Sequence, residues 1–99
     1  MKDKQVTVLA LVKAKAGMEE PVRNELMALV SPTRSEVGCV NYDLHQSEED
    51  KSLFMFYENW DSMEDLERHR GSAHLKAFRE KAGGLLEKPI EVTLFKMVS

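Results

Sequence analysis

Apolar residues occupy both alternating sets of positions between Gln5 and Lys15, namely Val6, Val8, Ala10 and Val12 on one side and Thr7, Leu9 and Leu11 on the other. Such two-sided patterning predicts a strand buried on both faces. Beyond Gly17 the period changes, and Met18, Val22, Leu26, Leu29 and Val30 recur at steps of three and four with Glu19 and Glu20 leading, the pattern of a helix whose first turn carries anions. Pro32 removes a backbone donor, so a kink near Ser31, or a stop and restart through Glu36, is expected before Gly38 ends the segment. Two strands follow, Cys39–His45 with polar alternation and Ser52–Trp60 rich in aromatics, joined as a hairpin across the acidic turn Glu48-Glu49-Asp50. Asp61 or Ser62 caps a short helix with Met63, Leu66 and His69 or Arg70 on one face. Gly71-Ser72 interrupts it, Leu75, Phe78, Ala82 and Leu85 or Leu86 continue to Gly83-Gly84, and Ile90–Met97 closes the chain as a last strand.

The order is β-α-β-β-α-β with the second helix in two pieces, which is the α+β, ferredoxin-like split βαβ arrangement of an antiparallel sheet with helices on one face. One domain, residues 1–99, accounts for the chain. Because the first, third and fourth strands are apolar on both sides, the sheet face away from the helices should meet another sheet, and self-association into a homodimer is expected.

Composition narrows the classes of function. With 42% hydrophobic and 31% charged residues the chain is too apolar for disorder, and it lacks the run of roughly 18 apolar residues that a membrane span needs. A net charge of -3 with scattered Lys and Arg argues against nucleic acid as a partner. Cys39 is the single cysteine, so no internal disulfide forms, and Met1 to Gln5 lead into the strand without an apolar leader; a cytoplasmic location without membrane attachment is expected. No GxGxxG, GxxxxGK[ST], HExxH, CxxC or GxSxG is present, so no cofactor and no metal site is expected from motifs. His69 and His74, five apart, would stand roughly 140° apart on a continuous helix, which disfavours a shared metal.

The remaining chemistry lies in polar and aromatic groups at the ends of apolar elements. His69 shares a face with Leu66 and points inward or into a cleft. His74 opens a helix and reads first as a capping or surface residue, and Trp60 reads first as a packing anchor. Tyr57 and Asn59 share one face of their strand, and Phe56, Glu58 and Trp60 share the other; alternation does not say which looks toward the helices. Cys39 reads as an inert small hydrophobe, and Met18, Met27, Met55 and Met63 as core filler.

Three stretches carry a resemblance. They are Val12-Lys13-Ala14-Lys15-Ala16-Gly17; Pro32 to Cys39 with Tyr42, Leu44 and His45; and Phe56-Tyr57-Glu58-Asn59-Trp60 followed by Leu66, His69, Ser72, His74 and Phe78. In these the chain resembles the antibiotic biosynthesis monooxygenase domain family, which includes small quinol monooxygenases. The resemblance implies a dimeric α/β barrel built sheet to sheet, with a pocket between sheet and helices in each protomer. It implies oxygenation of a small aromatic, quinol-like or phenolic polyketide substrate by dioxygen with no flavin or metal. His69 would then be the catalytic base, Trp60, Tyr57 and Phe78 the aromatic walls, and Asn59 or His74 an orienting donor. Haem-degrading relatives use an Asn, Trp and His set whose places fall on Ala10, His69 and Arg79 here, so that activity is not implied. A non-catalytic ligand-binding or stress-response dimer, and an isomerase or metabolite-degrading relative, are the alternatives on the same fold.

Overall fold

The computed structural model describes residues 4–99, which form β1 (Val6–Lys13), α1 (Glu19–Arg34), β2 (Cys39–Gln46), β3 (Leu53–Trp60), α2 (Met63–Arg70), α3 (Ala73–Leu85) and β4 (Glu91–Phe95). The four strands make one antiparallel sheet in the order β2-β3-β1-β4. The expected ferredoxin-like α+β fold is the observed one, with the second helix divided into α2 and α3. The sheet is open, with β2 and β4 as its edges.

The register divides the side chains between two faces. Val8 pairs with Glu58, Ala10 with Phe56 and Val12 with Phe54, and all six lie on the helix side, buried against Val22, Leu26 and Leu29 of α1. Leu9 pairs with Tyr57 and Thr7 with Asn59 on the opposite face, which no helix covers. The stripe read in α1 closes this core: Val22, Leu26 and Leu29 are buried, whereas Met18 and Met27 flank it half exposed, as does Met63 of α2. Those three methionines are therefore not core filler, because periodicity admits positions at the rim of a helical stripe.

α1 runs unbroken through Pro32. The proline lies in the last turn, so the restart expected beyond Ser31 is not needed. Gly38 follows at φ +84°, where a side chain is disfavoured, and a Cβ there would collide with the side chain of Asp65. This close approach sets the turn carrying Glu36 against the start of α2. Ser62 accepts from the Asp65 backbone N–H and Ser72 from that of Leu75, so each piece of the divided helix has its own N-cap. Among the described residues no helix is long and apolar enough to cross a membrane.

Candidate active site

Between the helix face of the sheet and helices α1 to α3 lies a cavity of about 1000 Å³. Its floor is Val8, Ala10 and Val12 of β1 with Phe56 and Glu58 of β3, its roof includes Leu26, Leu66 and Phe78, and exposed Val92 of β4 stands at its open side. Three titratable groups nearly sealed from bulk solvent line this apolar space, His69, Glu58 and the phenol of Tyr42.

His69 is on the inward face of α2, one turn after Leu66, as the spacing predicts. Its ring lies 4.6 Å from that of Trp60 and 5.5 Å, edge-on, from that of Tyr42, which in turn stacks on Phe56 at 4.4 Å. The Nδ1 atom is 2.7 Å from Oε2 of Glu36 in the turn after α1. A carboxylate only accepts, so Nδ1 carries the proton and Nε2 keeps its lone pair. No side chain or backbone group among the described residues binds Nε2, and it is not among the sealed polar atoms, so it opens to the cavity. Burial lowers the His69 pKa below its ordinary value, opposed by the hydrogen bond and charge of Glu36. The ring is thus held neutral with one basic nitrogen available.

Glu58 is the group that sequence reasoning placed on a strand face but did not single out. Its side chain is only 4% exposed on the Phe56 side of β3, and Oε1 accepts a hydrogen bond of 2.9 Å from Trp60 Nε1–H. Burial raises its pKa to about 7, against the opposing effects of the Trp60 bond and the positive charge of Arg70. Near neutrality this carboxyl is shared between its acid and its carboxylate form.

The other expected site residues divide. Phe78 lines the cavity, and Trp60, fully buried, backs both His69 and Glu58. His74 lies behind His69, its Nε2 2.8 Å from the same Glu36 oxygen. The helix break at Gly71 and Ser72 brings the two imidazoles to 6.1 Å between centroids, so the angle argued for a continuous helix does not apply. Tyr57 and Asn59 do not reach this cavity. They project from the uncovered face of the sheet, where Tyr57 is 41% exposed and Asn59 accepts from Thr7 Oγ1–H and donates to Asn41. The reason is the strand period: once Phe54, Phe56 and Trp60 enter the core, the odd positions must face away. Cys39 sits partly buried, and burial pushes its thiol up to about 11, which keeps it protonated and unreactive.

Comparison with known proteins places these features in a family. The family described as "Antibiotic biosynthesis monooxygenase" matches residues 5–81. A Mycobacterium tuberculosis protein named "Putative monooxygenase Rv0793" is 37% identical over 89 residues, spanning 90% of this chain and 87% of the relative. A Bacillus subtilis protein, "Putative monooxygenase YcnE", is 29% identical over 87 residues, 88% and 92% of the two chains. The solved structure of PA3566 from Pseudomonas aeruginosa superposes with a TM-score of 0.94 at 33% identity, covering 100% of this chain and 99% of that one.

Proposed function

The chain belongs to the antibiotic biosynthesis monooxygenase family, and from that premise we propose that it is a cofactor-independent monooxygenase that uses dioxygen to oxidise a quinol or small phenolic substrate. The observation that carries this reading is the pair of ionisable groups, His69 with a free basic Nε2 and Glu58 with a raised pKa, facing one apolar cavity. Groups whose environments fit one as base and the other as acid near neutrality are the arrangement that proton-transfer chemistry asks for.

The steps follow from those two groups. A flat aromatic ring enters between the β1 and β3 floor and Phe78, and water is displaced from apolar walls. His69 Nε2 takes the proton of a ring hydroxyl, and Glu36 stabilises the imidazolium that forms. The phenolate passes one electron to dioxygen, the resulting superoxide and ring radical combine at a ring carbon, and the proton on His69 converts the peroxide anion to a ring hydroperoxide. Loss of water then breaks the O–O bond and the C–H bond of that carbon: the acid form of Glu58 protonates the departing oxygen, and the C–H proton passes to the again neutral Nε2 of His69 and from there restores Glu58. For hydroquinone the balance is one quinol and one dioxygen giving one hydroxyquinone and one water. Tyr42, its hydroxyl held protonated by burial and by the charge of Glu58, stays neutral beside the base. The uncovered sheet face, with Leu9, Leu11, Tyr57 and Phe95 on it, is the surface through which two copies would pair as a homodimer.

The test is product analysis with isotopically labelled dioxygen. One labelled oxygen atom per hydroxyquinone and equal amounts of quinol and dioxygen consumed are expected; release of unlabelled quinone with hydrogen peroxide, or a quinol that only quenches Trp60 fluorescence, would overturn the reading.

A further inference from the structure

Glu36, His69 and His74 come from three separate segments, the turn after α1, the inner face of α2 and the first turn of α3. Their nearest ligand atoms, Glu36 Oε2, His69 Nδ1 and His74 Nε2, lie within 4.8 Å of one another. Both imidazole protons share one carboxylate oxygen, at 2.7 and 2.8 Å. The cluster is largely shielded, with His69, Glu36 and His74 side chains 5%, 16% and 23% exposed, and access runs past His74. Two imidazole nitrogens and one carboxylate oxygen form the donor set that suits zinc and its neighbours in the first transition series.

We propose that Glu36, His69 and His74 form a binding site for a divalent transition-metal ion, which enters by displacing the two ring protons now held by Glu36. Ligand bonds of about 2.0–2.1 Å require the three donor atoms to stand roughly 3.3 Å apart. The two pairs at Glu36 need to open by about half an ångström, and the imidazole pair to close by at most about 1.5 Å. His74, the most exposed of the three and in the first turn of α3, is the side chain free to make that move. Water completes the coordination from the solvent side.

The site has a consequence that rests on His69 being the base. With Glu36 on Nδ1, the Nε2 lone pair faces the cavity. With a metal on Nδ1, the neutral ring must carry its proton on Nε2, and it becomes a donor where a base is required. An occupied site and base catalysis by His69 therefore exclude one another, so the metal acts as an inhibitor of the oxygenation.

Calorimetric titration of the metal-stripped protein with Zn²⁺ tests the site itself, with Co²⁺ absorption reporting the ligand geometry. One Zn²⁺ per chain is expected, with affinity reduced about a hundredfold in both Glu36→Gln and His74→Ala and unchanged in His45→Ala, which removes the remaining imidazole. Zn²⁺ should shift the ring signals of His69 and His74 in the NMR spectrum and leave those of His45 in place. Absence of binding, or binding that survives both Glu36→Gln and His74→Ala in variants with native circular dichroism, or that disappears in His45→Ala, overturns the proposal. Quinol-dependent oxygen uptake by the wild type should fall with the same Zn²⁺ midpoint as the calorimetric one. Binding without that fall would remove the inhibitory consequence and leave the site, and a protein without any uptake would refute the oxygenase reading while calorimetry still decides the metal.

Discussion

Replacing Glu58 by Gln changes a buried ionisable group into a neutral one of the same shape, and its effect on stability follows from where Glu58 sits. In an unfolded chain this carboxyl titrates near 4.5, and burial in the fold carries it to about 7. At pH 5 and below the group is mostly protonated in the fold at little cost. Between about pH 4.5 and 7 the unfolded chain is already ionised while the folded protein still holds its proton, so stability falls across that interval and levels off above 7. At about 1.4 kcal/mol per pH unit, the interval from 4.5 to 7 amounts to roughly 3 kcal/mol, most of it lost by pH 7, a large part of the 5–15 kcal/mol of an ordinary domain. The Gln variant keeps an acceptor for Trp60 Nε1–H and escapes this loss. Urea unfolding of both proteins at pH 5, 7 and 9 and fixed protein concentration measures it. The variant should gain on the wild type by roughly 2 kcal/mol between pH 5 and 7 and change little further by pH 9, with unchanged denaturant slopes. Parallel pH profiles for the two proteins would refute the assignment of Glu58 as a buried carboxyl with a raised pKa.

Other outcomes follow from single residues. Gly38→Ala places a Cβ at φ +84° against the Asp65 side chain and should cost about 1–3 kcal/mol in urea unfolding. Ser72→Ala removes the hydroxyl that caps α3 and should cost about 1 kcal/mol, with amide exchange accelerated first around Ala73 to Lys76. Sedimentation at micromolar concentration should give a species of twice 11.3 kDa, and a Tyr57→Glu change on the uncovered sheet face should shift it toward the monomer; a wild type that sediments as a monomer would contradict pairing through that face.

The order of elements was legible because each has its own period: two-residue alternation in the strands, three- and four-residue steps in α1, and a divided helix marked by a cap at Asp61 or Ser62 and an interruption at Gly71-Ser72. The inward direction of His69 was legible for the same reason, from its place one turn after Leu66. The role of Glu58 was not, because alternation assigns residues to two faces without saying which face the helices cover, and so Tyr57 and Asn59 were equally eligible. Glu36 was not singled out either. It meets His69 across 33 residues of sequence and His74 across 38, through a turn whose position depends on Gly38 approaching Asp65, and no local spacing encodes that meeting. His69 and His74 looked incompatible for a related reason, since the angle between them is set by the break at Gly71 and not by helical geometry.

The central claim is that His69, oriented by Glu36, removes a proton from a phenolic substrate that then reacts directly with dioxygen. Oxygen uptake by the metal-stripped protein with a panel of quinols and phenolic polyketides, beside the His69→Ala variant, tests it most directly. Uptake with at least one of these substrates is expected to survive chelation and to fall about a hundredfold in the variant while the variant remains folded. Uptake that is unchanged in His69→Ala, or that appears only when metal is restored, would contradict it.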